Sequence, residues 1–466
     1  MSSISLLEGL IHDRITGQRA GELLEGIGLS EDQPDGPDSI DPARTAFVRE
    51  FYRRYRRSIK LPKKLVTERA RQSALAQRAW VVARKAGRFS LFEPNLTTML
   101  ELVVETAECL GYEEHIYDPL LDEFEPWMKT SELESVFVRF QERLKTLLQR
   151  ITAGRPVESS FLKRSYPVEK QRAFSNLVLK AIGYDLNRGR LDISAHPFTT
   201  ALGCSDIRLT TRYNEKYFNT GIFGTIHEAG HGLYELGIDT SLWGTLLADG
   251  TSMGIHESQS RMWENLIGRS LPFWKHFYPQ LKTQFPEALS DIDLEQFYRG
   301  INAVRPSLIR VEADEVTYNL HILLRFNLEK KMVSGDLAVV DLPDAWREES
   351  LALLGVAAPD DADGVLQDIH WSMGAIGYFP TYSLGNLYSA QFFKVMEKDL
   401  PHMTRTGGLL DRGEFTEILS WLCQKIHRWG RTFPAGELCQ RISGEPLNPD
   451  YFMDYLEQKF LDIYGI

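Results

Sequence analysis

Two histidines four residues apart, with a glutamate directly after the first, constrain this chain more than any other feature. They lie in Thr225-Ile-His-Glu-Ala-Gly-His-Gly-Leu-Tyr-Glu-Leu-Gly237. The imidazoles of His227 and His231 share one side if the segment is an α-helix, where residues four apart are offset by about 40° and rise about 6 Å. Ile226, Ala229, Leu233 and Leu236 give that helix a face that packs, so the histidines are not idle surface residues. In this geometry two Nε2 atoms reach one Zn²⁺ at about 2.0–2.1 Å. Glu228 then stands beside the metal as a general base.

A catalytic zinc of this kind takes three protein ligands and keeps a fourth position open. One familiar arrangement places a third histidine six residues after the second, behind a glycine; here position 237 is Gly and position 234 is Tyr. The candidate instead lies in Gly254-Ile-His-Glu-Ser-Gln-Ser-Arg-Met-Trp-Glu-Asn265. Glu257 falls 257 − 231 = 26 residues beyond His231, a distance suited to a short connection and a second helix returning beside the first. Its neighbour His256 is the rival ligand. Helical spacing puts Glu257, Arg261 and Glu264 on one polar stripe, with His256 about 100° away, and so favours Glu257.

Composition removes several function classes. The 64 acidic and 53 basic residues leave a net charge of −11, without the basic footprint that phosphate backbones require. One basic run, Arg53, Arg54, Arg56, Arg57, Lys60, Lys63 and Lys64, reads as a solvated helix face, with a partner patch as the alternative. Cys109, Cys204, Cys423 and Cys439 are far apart and form neither a disulfide framework nor a zinc knuckle. No secretory leader or long apolar run is present, so no membrane partner is expected and the expected location is cytoplasmic.

The pattern is mainly α with a small β element. Leu6, Leu7, Leu10 and Ile11 share one helical face between Ile4 and Leu29; Ser30–Pro42 reads as an exposed acidic loop. Helical spacing recurs at Phe47, Phe51 and Tyr55 and at Val136, Phe140 and Leu144, and prolines and glycines punctuate the helices as in a bundle. Gly183 to Arg212 alternates polar and apolar residues and predicts strand. Helix returns around 226–236, 256–267, 313–331 and 415–429. Trp80, Trp127 and Trp274 read as core residues. No boundary forces a division, so 1–466 is taken as a single domain: an N-terminal helical part (about 1–180), a metal-site part (about 181–400) and C-terminal helices (401–466).

Several further motifs, taken with these, resemble the metallocarboxypeptidases of the carboxypeptidase Taq type. His196-Pro197-Phe198 matches HPF, and Asp206-Ile-Arg208-Leu-Thr210 matches DxRxT. His227 to His231 matches HExxH, and His256-Glu257-Ser258-Gln259 matches the HES(Q/R) motif that supplies a glutamate ligand. Ile309-Arg310-Val-Glu-Ala313-Asp314 matches (I/V)RxxAD, and Gly364-Val-Leu-Gln367-Asp368-Ile-His370-Trp371 matches GxxQDxHW. Gly377-Tyr378-Phe379-Pro380-Thr381-Tyr382 follows, and all stand in the family's order.

The resemblance implies a helical, saddle-like peptidase fold with a deep groove, of neurolysin-like architecture, and a homodimer. It implies removal of single C-terminal residues from peptides with a free C-terminus, with broad preference, using zinc or, in some relatives, cobalt or manganese. His370, Tyr378 and Tyr382 become candidate donors to the oxyanion, with either tyrosine able to serve. Arg310 becomes the candidate for the substrate carboxylate, with Arg208 and Arg305 as rivals and an internal pair to Glu312 or Asp314 as the alternative. Gln367 and Asp368 are expected to orient His370, and His196 and Phe198 to shape the groove. Relatives usually begin with a helical segment containing a WDQxTxMP-like motif that is not found here; a shorter start is expected to affect access to the groove. The competing functional readings are an oligopeptidase cutting internally and a non-catalytic helical scaffold, the latter disfavoured by the intact Glu228.

Overall fold

The computed structural model describes residues 2–29 and 42–466. The expected loop at Ser30–Pro42 therefore lies, but for its last residue, outside the described residues. The chain is 67% helical with one small sheet, which makes the class mainly α, as the spacing predicts. The helices are α1 (Ser2–Ile15), α2 (Gln18–Gly26), α3 (Pro42–Lys60), α4 (Lys63–Ala86), α5 (Glu93–Leu110), α6 (Asp118–Phe124), α7 (Thr130–Ala153) and α8 (Val168–Ala181). Strands β1 (Gly189–Ile193), β2 (Thr199–Gly203) and β3 (Asp206–Thr211) follow. Then come α9 (Phe218–Gly237), α10 (Met253–Arg261), α11 (Leu271–Gln284), α12 (Pro286–Leu289), α13 (Leu294–Ile301), α14 (Thr317–Val333), α15 (Leu342–Leu354), α16 (Pro380–Asp399), α17 (Leu409–Arg412), α18 (Thr416–Lys425), α19 (Ala435–Ser443) and α20 (Asp450–Tyr464). No helix among the described residues is long and apolar enough to cross a membrane.

Contacts cluster into two compact units. The first comprises Met1–Gln141, Pro306–Ala313 and Thr317–Thr381; the second comprises Glu142–Arg305, Asp314–Val316 and Tyr382–Ile466.

In the first unit, α5 buries Leu96, Met99, Val103 and Ala107 at helical spacing, and α4 buries Ala76, Trp80 and Ala83. Trp80 reaches polar satisfaction by donating Nε1–H to the Leu366 carbonyl at 2.9 Å. Phe51 and Tyr55 pack on a cluster of Leu24, Leu29 and Tyr52, in keeping with their spacing on α3. Leu6, Leu7, Leu10 and Ile11 do share α1, but they are exposed. The basic run is a solvated face in part, with Arg54, Lys60, Lys63 and Lys64 exposed, but several of its side chains are paired. Arg53 and Arg57 both bind the Asp122 carboxylate at 2.7 Å, Lys60 donates to the Leu110 carbonyl, and Lys63 pairs with Asp13. Trp127 is also not a core residue, being 43% exposed. It sits at positive φ in a turn tied by its own N–H to Asp122, with the Arg49 and Arg53 guanidiniums over its ring.

In the second unit, the predicted strand region forms a three-stranded sheet of order β1-β3-β2. β3 pairs parallel with β1 (Leu191 opposite Leu209) and antiparallel with β2 (Thr199 opposite Leu209). Ile207, Leu209 and Thr211 alternate inward along β3. The rings of Phe174, Phe218 and Phe297 surround the fully buried Trp274, a core residue as expected.

Candidate metal centre

α9 carries both motif histidines and runs through the interior of the second unit. It buries Phe218, Ile222, Phe223, Ile226, Ala229, Leu233 and Tyr234. Its glycines lower helix propensity but permit close neighbours. At Gly230 a Cβ would lie 2.6 Å from the Ser260 Cα and 2.7 Å from the Gln259 carbonyl oxygen, so α10 can cross in backbone contact only here. α10 begins at a Ser252 cap, whose hydroxyl accepts from the Ile255 N–H at 3.0 Å, and this start places Glu257 against α9. At Gly385 on α16, a Cβ would meet the Glu257 side chain at 2.4 Å, so glycine there leaves the carboxylate its room.

The outcome is a triad. Among the described residues, His227, His231 and Glu257 form the one group of three or more potential ligands whose donor atoms all lie within 4.8 Å of one another. Glu257 Oε2 is 3.7 Å from His227 Nε2 and 3.4 Å from His231 Nε2. Tetrahedral coordination with bonds of about 2.0–2.1 Å needs ligand atoms about 3.3–3.4 Å apart. The donor set therefore fits a divalent ion of this size.

Surrounding partners fix how each ligand presents itself. His227 Nδ1–H donates to Glu264 Oε2 at 2.9 Å, leaving Nε2 as the lone-pair nitrogen. His231 Nδ1 lies 3.1 Å from the His256 carbonyl oxygen and 2.6 Å from His256 Nδ1. His256 in turn gives its Nε2–H to Glu235 at 2.9 Å, so its Nδ1 is an acceptor and His231 Nδ1 carries the proton. Both nitrogens of the rival His256 are thereby engaged. The second oxygen of Glu257 accepts from Arg261 Nε at 2.7 Å, and burial's upward push on its pKa is overcome by Arg261 and the two histidines, which hold the carboxyl well below its usual range. Glu264 behaves alike. Burial works against its charge, but the His227 hydrogen bond, Arg261 and Arg269 hold its pKa at about 2. Burial, with His256 beside it, lowers His231 to about 3 and keeps it in the neutral form a metal ligand needs.

Glu228 is buried, and that burial raises its pKa. The Thr199 hydroxyl at the start of β2 donates to Glu228 Oε2 at 2.7 Å and approaches its carbonyl oxygen at 3.0 Å. α10 passes directly into a π-turn at Met262–Ile267, closed by Gly268 N–H to the Trp263 carbonyl at 2.8 Å. This turn carries Glu264, and such bulges concentrate at functional sites.

The sequence profile of the Carboxypeptidase Taq (M32) metallopeptidases matches residues 1–460. The chain belongs to this family. It is 46% identical to thermostable carboxypeptidase 1 of Thermus thermophilus over 99% of this chain and 91% of the relative. It is 43% identical to carboxypeptidase 1 of Bacillus subtilis, over 88% and 81%. A crystal structure of the family's carboxypeptidase from Deinococcus radiodurans superposes with a TM-score of 0.92 at 37% identity, covering 99% of this chain and 91% of that one. Membership makes the protein a metal-dependent peptide hydrolase of the carboxypeptidase class.

The remaining family-motif residues fall as follows. In the first unit, Arg310 is buried and donates from Nε and Nη2 to Asp368 Oδ1, at 3.1 and 2.8 Å. The internal partner the structure gives Arg310 is Asp368, where the alternative reading named Glu312 or Asp314. Arg325, fully buried, takes the other oxygen from Nε at 2.7 Å. Asp368 is accordingly a bridge between two guanidiniums, while Gln367 accepts the Arg310 N–H at 2.9 Å; both were expected to orient His370. His370 packs on Tyr378, ring centres 5.3 Å apart, and burial lowers its pKa to about 4. In the second unit Tyr382 lies in the first turn of α16. Arg208 is bound to Asp206 within the sheet, Arg305 holds Ser159 and the Val157 carbonyl, and His196 and Phe198 are exposed beside β2. Sequence reasoning missed Thr199 and Arg325. Thr199, in no quoted motif, carried no signal. Arg325 was legible only as a charge inside an apolar helix.

Proposed function

We propose that the protein is a zinc-type carboxypeptidase that releases single C-terminal residues from peptides with broad side-chain preference. The observation that carries this reading is the triad of His227, His231 and Glu257 with Glu228 one residue from the first ligand. When bound there, a divalent metal polarises the scissile carbonyl and lowers the pKa of water. Glu228 takes the proton from the attacking water and passes it to the leaving amine. Its raised pKa suits the first step, because burial makes the carboxylate a stronger base. Thr199 occupies Oε2 and leaves Oε1 for the proton.

For the free α-carboxylate of the substrate the reading assigns Arg310. What supports it is the charge balance in its own unit. Two guanidiniums share one carboxylate, Asp368, and burial holds His321 and His370 neutral, with pKa values of about 3 and about 4. The excess positive charge suits an anion. His370 and Tyr378, with Tyr382 as the alternative, are assigned to the oxyanion, a neutral imidazole being able to donate one N–H.

The test is one peptide in two forms, free acid and C-terminal amide, incubated with zinc-loaded protein and followed by mass spectrometry. Stepwise loss of single residues from the free acid, with the amide resistant, is expected. Equal internal cleavage of both would move the protein to an oligopeptidase. No cleavage of either at full metal occupancy would overturn the peptidase reading.

A further inference from the structure

Glu329 is a fully buried carboxylate that the proposed chemistry does not use. It sits on α14 in the first unit, where an apolar side chain would bury more cheaply. Three donors converge on it. The Tyr117 hydroxyl reaches Oε2 at 2.7 Å, the Gly377 N–H reaches the same oxygen at 3.1 Å, and Trp371 Nε1–H reaches Oε1 at 2.8 Å.

Two of these donors delimit one loop. Trp371 directly follows His370, and Gly377 directly precedes Tyr378. Between them the chain has only a short 3₁₀ turn at His370–Met373, with Gly374 N–H and Ala375 N–H bonded back to the carbonyls of Trp371 and His370 at 3.1 Å. A segment with so little regular structure holds one conformation only if something outside it does the holding. The Trp371 ring meets Trp346, and Tyr378 meets Phe124 at 5.0 Å, but apolar burial is non-directional. The bonds to one carboxylate fix both ends at once, and above its pKa of about 7, where it is ionised, such bonds are roughly twice as strong as neutral ones.

We propose that Glu329 is a positioning residue that fixes the His370–Tyr378 segment in its working conformation. The proposal rests on the reading of His370 and Tyr378 as oxyanion donors. Burial raises the Glu329 pKa to about 7, as expected for a carboxylate kept in the interior for its geometry and not for charge pairing.

The experiment compares wild type, Glu329→Gln and Trp371→Phe, each zinc-loaded. The readouts are kcat and KM on a free-acid peptide, metal content, and backbone hydrogen exchange resolved to residues 371–378. Glu329→Gln keeps the shape but presents an amide donor to a cluster of donors. It is expected to lower kcat by about 100-fold, the cost of a small misplacement of reacting groups, with KM and zinc content little changed. Measured above pH 7, where the carboxylate is ionised, exchange in 371–378 is expected to rise at least about tenfold, matching the loss of a charge-assisted hydrogen bond. Trp371→Phe removes one donor and is expected to show the same pattern at smaller size, which keeps the test intact if Glu329→Gln fails to fold. Unchanged kcat, or a fall in kcat without faster exchange in 371–378, would overturn the proposal. If wild type itself leaves the peptide uncut, the functional reading fails, and the exchange data alone decide whether Glu329 holds the segment.

Discussion

Glu264 Oε2 receives the Nδ1 proton of His227 at 2.9 Å. Glu264 is itself gripped by Arg261 and Arg269, each at 3.3 Å, so the ligand imidazole is aimed by a carboxylate that cannot easily turn away. Removing such an outer partner costs metal affinity by about 10–100-fold while the ligands remain. Glu264→Ala is therefore expected to lose zinc to a competing chelator in that range, with secondary structure unchanged. Equal chelator resistance in variant and wild type would show that packing alone aims His227.

Glu228 is expected to separate binding from chemistry. It accepts a hydrogen bond from Thr199 and is not one of the triad, so Glu228→Gln should retain stoichiometric metal. Loss of the general base should lower kcat by at least about 10²–10⁴-fold. Metal analysis and steady-state kinetics on the same preparation check this, and a variant with near-normal kcat would remove Glu228 from the mechanism.

Close approach makes a second, purely steric prediction. Gly230→Ala places a methyl 2.6 Å from the Ser260 backbone, where no flexible side chain can give way. Overpacking of this kind costs about 1–3 kcal/mol and must shift α10, which carries Glu257. Lower melting temperature together with weaker metal binding is expected. A melting temperature equal to wild type would show that the crossing has slack.

How much of this was legible in the sequence depends on the range of the interaction. Glu257, Arg261 and Glu264 fall on one stripe by helical spacing alone, and in the structure Arg261 bonds Glu257 while Glu264 meets His227. The strands of the sheet were legible as alternation, which burial along β3 reproduces. Contacts between distant segments were not. Nothing local marks Thr199 as the partner of Glu228, 29 residues away, nor Glu329 as the acceptor for Trp371, 42 away. Trp127 misled because residue type suggests burial, whereas its positive φ and the Arg49 and Arg53 guanidiniums hold it at the surface. Within the basic run, Arg54 and Lys64 are exposed as a solvated face predicts, but the pairing of Arg53 and Arg57 was not legible because their acceptor, Asp122, lies in a separate helix.

Arg310→Ala should act on binding. Asp368 keeps its bond from Arg325, so no buried carboxylate is left unpaired and folding should persist. A lost charge-assisted contact to the substrate carboxylate of about 1.5–3 kcal/mol corresponds to a rise in KM of roughly 10–150-fold. Unchanged KM for free-acid peptides would return Arg310 to a structural role.

Titration of Glu329 yields a stability prediction of unusual sign. Its pKa is raised by burial from an ordinary 4.5 to about 7, so between those values the folded protein binds a proton that the unfolded chain does not. Stability contributed by this group therefore increases as pH falls through that window, by up to about 1.4 kcal/mol per pH unit, opposite to the behaviour of a salt-bridged carboxylate. Above about pH 7 the buried charge is a net cost. Glu329→Gln has no proton to exchange, and every other titrating group is common to both proteins. The melting temperature of wild type minus that of Glu329→Gln is thus expected to be larger at about pH 5.5 than at about pH 8.5. Parallel curves would mean that the Tyr117, Trp371 and Gly377 hydrogen bonds offset the burial and keep Glu329 ionised across the range.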